Sequence, residues 1–335
     1  MTSASLNALF AELTSFSKSA NPTAPVGLDW EQLVELAEAH GLAALISYQL
    51  DYRFLARLSP PPRVRERLAS NFNGAVNDNV LKVTHLRRLL STEGMPEAVI
   101  LGPASWIDGL YPHIAFRQID DVDVWVRDLP AASAAFAEGG LAVGPAGTPG
   151  PTRPLAARLA SPDIALSVWR APAGLRLDAA TTAQTWDRRL PVRAYGPAAQ
   201  RLAPADAVVA HVAALAMEGF AVPRIKLVDL REMVLRLDVE SDNGSGFYGP
   251  GSPVLRSAEV LDRVRALGLT RALWAGLRLV ESLFPEAAPQ AKQLALGLPS
   301  RAARLVEEAV VQPALNPNRL RVVRAITAMR RALLV

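Results

Sequence analysis

The chain has 335 residues, half of them hydrophobic and none of them cysteine, enough for two or three domains with a sizeable core. The missing cysteines exclude disulfides, zinc–thiolate sites and cysteine nucleophiles, and they fit a reducing compartment. A formal charge of +4, from 36 basic and 32 acidic residues, is too weak and scattered a footprint to argue for a nucleic-acid surface.

In chain order, Met1 to Leu13 lacks the basic-then-apolar order of a secretory signal, so a cytoplasmic protein is expected. Helical periodicity predicts a helix over Ser3 to Lys18. A second starts near Asp29 and runs to Gly41, and a third covers Leu42 to Leu50. Pro60, Pro61 and Pro62 break the chain before a long helix, Val64 to Leu90, whose stripe is Leu68, Phe72, Ala75, Val76, Val80, Val83, Leu86 and Leu90. After Pro96 the pattern changes to a buried strand at Ala98 to Leu101, a glycine turn at Gly102 to Ser105 and a helical segment through Leu110. A strand then carries Asp121 and Asp123, a helix runs from Pro130 to Glu138, and Gly139 to Gly150 reads as a loop. Two more strands are expected at Leu155 to Leu159 and Ile164 to Trp169. From Ala205 the chain is helical again: Ala205 to Phe220, Ile225 to Leu237, Ala258 to Phe284, and two helices after Pro289 and Pro317, with Ser241 to Pro253 a mobile surface loop. The apolar run Ala207 to Met217 is interrupted by His211 and too short to span a bilayer. The expected fold class is α/β (α+β). Residues 95–200 form a small mixed β-sheet core between helical regions at 1–94 and 201–335.

Within that core, Phe116 to Val126 places Asp121 and Asp123 on one face of an apolar strand and Val122, Val124 and Val126 on the other. The acidic face is expected to lie outside the core. Adjacent carboxylates repel unless a cation sits between them, and paired oxygen ligands suit Mg²⁺ or Mn²⁺ together with substrate phosphates. A strand whose outer face is simply solvated is the alternative. Strand, glycine turn, helix is also the order that phosphate sites favour, because outward amides at a helix start receive anions; Gly102 and Ser105 are the candidates.

Several segments in this order resemble the uncharacterised nucleotidyltransferases of the polymerase-beta-like superfamily. They are Asp29-Trp30 with Leu36 to Gly41; Val99 to Gly102 leading to Leu110-Tyr111-Pro112; Arg117 ahead of Asp121-Val122-Asp123; Trp169-Arg170; Leu202 to Asp206; and Leu227-Val228-Asp229. The resemblance implies transfer of a nucleoside monophosphate from a nucleoside triphosphate to a small-molecule or peptide acceptor, in a biosynthetic setting. Asp121 and Asp123 would bind one or two Mg²⁺ ions, and the turn from Gly102 to Ser105 would hold the β- and γ-phosphates. Arg117 either reaches a phosphate bidentately or pairs with Asp120 or Asp121. Two departures stand out. The family's usual lysine in the phosphate turn is absent, with Gly102-Pro103 there, and the stretch Ile164 to Arg170 lacks the third carboxylate. Asp163 either serves as that third acid or caps a turn after Pro162. A catalytically degenerate relative that binds nucleotide or a biosynthetic partner protein is therefore the alternative function, and a nucleic-acid-modifying transferase is a third.

Other residues point to structure. His211 in an apolar helix and His40 at a helix end are expected to be structural, and His85 and His113 have no partner at metal-ligand spacing. Lys226 and Asp229 are expected to pair with each other. Arg319 to Arg331, set among apolar residues, make a basic amphipathic helix that either packs on the protein or binds a membrane surface, an acidic partner or RNA.

Overall fold

The computed structural model describes residues 3–18, 20–107, 109–144, 155–161, 164–172, 175, 177–240, 245–298 and 303–315. α1 (Ser3–Thr14) stops short of Lys18, where Thr14 returns its hydroxyl to the Phe10 carbonyl at 2.8 Å. α2 (Trp30–Ala39) starts at Asp29, whose carboxylate accepts from the Gln32 amide at 3.1 Å, the usual chemistry of a helix start. α3 (Ala43–Gln49) continues through a π turn into α4 (Leu55–Leu58). α5 (Pro62–Leu90) opens with proline in its first turn, where no amide is needed. Its stripe is buried at Leu68, Ala75, Leu86 and Leu90, but Val80 is 46 % exposed and the fully buried Asn79 takes its place on the seam. The step from Ala75 to Asn79 is one helical turn, so the polar residue falls in line with the apolar ones.

The sheet has seven strands: β1 (Ala98–Leu101), β2 (Val122–Trp125), β3 (Ala142–Gly144), β4 (Leu155–Ala160), β5 (Ala165–Trp169), β6 (Leu190–Pro191) and β7 (Ala199–Arg201), in the order β3-β4-β5-β2-β1-β7-β6. β2 runs parallel to β5 and β1 parallel to β7, while the remaining neighbours are antiparallel. α6 (Leu129–Glu138) is capped by Asp128, and α7 (Ala179–Asp187) by Asp178. β3 lies inside the expected glycine loop, whose residues 145–150 are outside the described set, and α7, β6 and β7 were not anticipated. One sheet face, with Ile100, Val122, Val124, Leu166 and Val168, shares a core with Leu86 and Leu90 of α5 and Phe136 of α6. The opposite face, with Val99, Leu101, Trp125 and Trp169, joins a larger core that extends from Leu6 to Val311.

The carboxyl-terminal layer contains α8 (Pro204–Met217), α9 (Arg224–Val234), α10 (Ser257–Ala266), α11 (Thr270–Leu283), α12 (Ala288–Leu296) and α13 (Ala303–Val306). The single helix expected over Ala258 to Phe284 is two, because Gly268 adopts φ +68° and the Leu269 amide turns back to the Val264 carbonyl at 2.9 Å. The expected loop at Ser241 to Pro253 is corrected from residue 245 on. A small hairpin, β8 (Ser245–Gly246) and β9 (Gly249–Pro250), drives Phe247 and Tyr248 into the core, and the Tyr248 hydroxyl donates to the Leu202 carbonyl at 3.0 Å. Only glycine fits at 109 beneath it, since a Cβ there would lie 2.3 Å from the Tyr248 backbone. Residues 241–244 and the arginine-rich stretch 319–331 lie outside the described residues. Among the described residues, no helix is long and apolar enough to cross a membrane.

Candidate active site

Strand register assembles the site. Leu101 stands opposite Asp123 on β1, Ser167 stands beside Asp123 on β5, and Arg158 stands opposite Ser167 on β4. Laterally paired residues share a face, so Arg158, Ser167, Asp123 and Leu101 form one row across four strands, and Asp121 lies in the bend just before β2. The next row inward is Trp169, Trp125 and Val99. The acidic face is therefore not outside the core along its whole length: Trp125 is 1 % exposed and packs edge-on against Trp186 with centroids 4.9 Å apart. The pull of a large aromatic surface out of water closes that end, while Asp123 is half-buried and Asp121 is exposed.

Each aspartate has a partner. Asp123 Oδ1 accepts from Trp169 Nε1 at 2.7 Å. Asp121 Oδ2 pairs with Arg158 Nη2 at 2.8 Å, both side chains being about half exposed. The two carboxylates, two residues apart at the start of β2, offer hard oxygen donors of the kind that suits a divalent cation completed by water and phosphate oxygens.

The glycine turn opens directly after Leu101, so it lies at the same end of the sheet as Asp123. Gly102 has φ +60°, and the space where its Cβ would stand is open, with no atom within 4 Å. The helical segment expected through Leu110 is instead one 3₁₀ turn, Gly102–Trp106, so the backbone dipoles aligned there are few. Ser105 is buried and its hydroxyl donates to the Gly102 carbonyl at 2.7 Å, bracing the turn.

A model of the uncharacterised nucleotidyltransferase family matches residues 27–285. The chain belongs to that family. No curated protein and no solved structure matches it. Arg117 pairs with neither Asp120 nor Asp121. Its Nε lies 2.9 and 3.2 Å from the two oxygens of Asp229, and its Nη1 donates to the Gln118 carbonyl at 2.8 Å. The Tyr111 hydroxyl donates to the same fully buried carboxylate. Burial, and then the Asp229 charge, push the Tyr111 phenol well above its ordinary pKa. Burial loosens the Arg117 proton, but Asp229, by charge and hydrogen bond, together with Tyr111 and Asp120 outweighs it, and the pKa is raised. Lys226 accordingly pairs with Glu218 at 2.6 Å and not with Asp229. The sequence favoured the one-turn neighbour, whereas α9 turns Asp229 inward to the segment that feeds β2.

His211, His40 and His113 each bond a backbone group. His211 Nε2 lies 2.8 Å from the Lys226 carbonyl. Its pKa is lowered, chiefly by burial, against the raising influence of Asp229. His40 Nδ1 accepts from the Arg224 amide at 3.2 Å, and His113 Nδ1 accepts from the Ala115 amide. Among the described residues, no group of three or more His, Asp or Glu side chains is placed to hold a metal ion. Asp163 lies outside the described residues, and at the strand position beside Asp123 the side chain is the buried hydroxyl of Ser167.

Sequence reasoning missed three contributors to the candidate site. Asn79 donates Nδ2 to the carbonyls of Ile114 at 2.7 Å and Arg117 at 3.0 Å, and accepts from the Ile119 amide at 2.9 Å. Lys82 donates to the Ile119 carbonyl. Together they fasten the irregular approach to β2, where buried backbone groups need partners. Arg158 is the third. Its one available signal was the alternation within Leu155 to Ala160, which sets it on the opposite face from Ala157 and Leu159.

Proposed function

We propose that the protein transfers a nucleoside monophosphate from a nucleoside triphosphate to a small-molecule or peptide acceptor, with Mg²⁺ or Mn²⁺ bound at Asp121 and Asp123. The observation that carries this reading is the pair of carboxylates at the start of β2, Asp123 on the strand and Asp121 in the bend before it, at the end of the sheet where the Gly102 turn opens. The acceptor's oxygen or nitrogen forms a bond to the α-phosphorus, the bond from that phosphorus to the bridging oxygen breaks, pyrophosphate leaves with the electron pair, and the acceptor's proton passes to water. A bound divalent cation supplies charge neutralisation for the triphosphate. The chain's own part is positioning. Trp169 orients the Asp123 carboxylate through its indole N–H, Ser105 braces the Gly102 turn, and the Asn79, Arg117 and Asp229 contacts hold the segment that enters β2. The open space over Gly102 admits phosphate close to backbone.

A second reading is a nucleotide-binding relative in which catalysis has been lost, serving a biosynthetic partner. Ser167 in the row beside Asp123 favours it, since a hydroxyl is a far weaker metal ligand and base than a carboxylate. Calorimetric titration of ATP, GTP, CTP and UTP with Mg²⁺ into wild type and the Asp121→Ala, Asp123→Ala double variant tests the site. Metal-dependent binding that the double variant loses is the expected result. Absence of binding by the wild type refutes the nucleotide reading. Binding without turnover across a panel of acceptors favours the second reading.

A further inference from the structure

Arg158 is the residue whose placement the proposed chemistry leaves unexplained. It lies on β4, two strands from Asp121, a separation of about 10 Å that only a long side chain can cross. It reaches over Ser167 to meet Asp121 Oδ2 at 2.8 Å. The guanidinium thus occupies the carboxylate that a divalent cation would need. The pair is weak by position: the side chains are 53 % and 45 % exposed, and exposed ion pairs of this kind add little to stability. It can exchange partners at small cost. The turn at Gly102 and Pro103 carries no cationic side chain, and among the described residues of this row Arg158 is a cation with the reach to meet an incoming polyphosphate. A guanidinium suits phosphate oxygens through two parallel N–H donors.

We propose that Arg158 is an exchangeable counter-ion and a phosphate ligand. With no ligand bound it neutralises Asp121; when metal and nucleotide arrive together, it releases Asp121 to the cation and pairs with a phosphate of the nucleotide. This rests on the nucleotide reading of the site. It makes the two ligands cooperative, because the metal alone must compete with the guanidinium, whereas the nucleotide removes that competitor. The coupling is reciprocal by linkage: whatever factor the nucleotide adds to metal affinity, the metal adds to nucleotide affinity.

The test is titration of Mn²⁺, followed by its paramagnetic resonance signal. It is performed alone and in the presence of whichever of ATP, GTP, CTP and UTP binds best, on wild type, Arg158→Gln and Arg158→Lys. The exposed position leaves the fold intact in both variants. For Arg158→Gln, Mn²⁺ alone is expected to bind about two- to fivefold tighter, the gain from removing a competing exposed charge. The Mn²⁺–nucleotide is expected to bind about tenfold weaker, the loss of a charge-assisted contact, and the cooperativity collapses. Arg158→Lys recovers part of the nucleotide affinity. If the two affinities of Arg158→Gln move in the same direction, or neither moves, the assignment of Arg158 is overturned while the nucleotide site stands. A wild type that binds neither Mn²⁺ nor any nucleotide overturns both.

Discussion

Replacing Asp229 by alanine should be among the most damaging single changes in the protein. The carboxylate is fully buried and is the partner of both the Arg117 guanidinium and the Tyr111 hydroxyl. Arg117 is itself only 11 % exposed, so Asp229→Ala leaves a buried cation without its counter-charge. Breaking such a pair costs about 3–5 kcal/mol, and orphaning the Tyr111 hydroxyl adds about 1 kcal/mol or more. The expected loss is about 4–6 kcal/mol, measured as a shift of the urea midpoint at unchanged slope. The double variant Arg117→Met, Asp229→Leu removes both charges together and should recover a substantial part of that loss, because an apolar pair has no desolvation cost to offset. A loss below about 1 kcal/mol for Asp229→Ala, or a double variant no better than the single one, would refute the view that this pair is tightly coupled and buried.

Asn79→Ala removes three hydrogen bonds to the backbone of residues 114–119 and should cost about 2–4 kcal/mol. Nucleotide affinity at Asp121 and Asp123, measured calorimetrically below the unfolding range, should fall with it as their strand loses its anchored entry. For pH, the sign follows from burial of His211: its folded pKa is depressed, so the unfolded chain binds the proton more readily. The neutral ring's contribution is fully present above the unfolded value of about 6.5 and is lost as pH falls from there through the folded value. Urea midpoints should therefore drop between pH 7.5 and pH 5.5, and His211→Gln should flatten the drop over the same interval; an equal drop in the variant would assign it elsewhere.

What was readable in advance was local. Asp29, where the sequence starts a helix, caps it by bonding an amide within the next turn. The apolar run Ala98 to Leu101 is a buried strand, and the alternation from Asp121 to Val126 separated the carboxylates from the valines, whichever core each face later met. In the amino-terminal layer the periodicity located α5 but chose Val80 over Asn79, because apolarity was the only criterion and Asn79 becomes a core residue only once the chain of residues 114–119 arrives to bond it. The same limitation turned Ser241 to Pro253 into a loop, although Phe247 and Tyr248 lie in the core. Two aromatics have no period, and their burial depends on the close approach allowed at Gly109.

By itself, the sequence determined the helical layers, four of the seven strands (β1, β2, β4 and β5), the two aspartates at the start of β2 and a family that extends over residues 27–285. All of these rest on interactions within a few residues or on motifs whose order is written along the chain. Only the tertiary structure decided which groups complete the site. Arg117 meets Asp229 across 112 positions, Asn79 meets Ile119 across 40, and Arg158 reaches Asp121 across 37. Those choices follow from strand order and helix packing. A side chain's partner is whichever complementary group the fold delivers to it, and an unpaired buried charge or amide is too costly to leave.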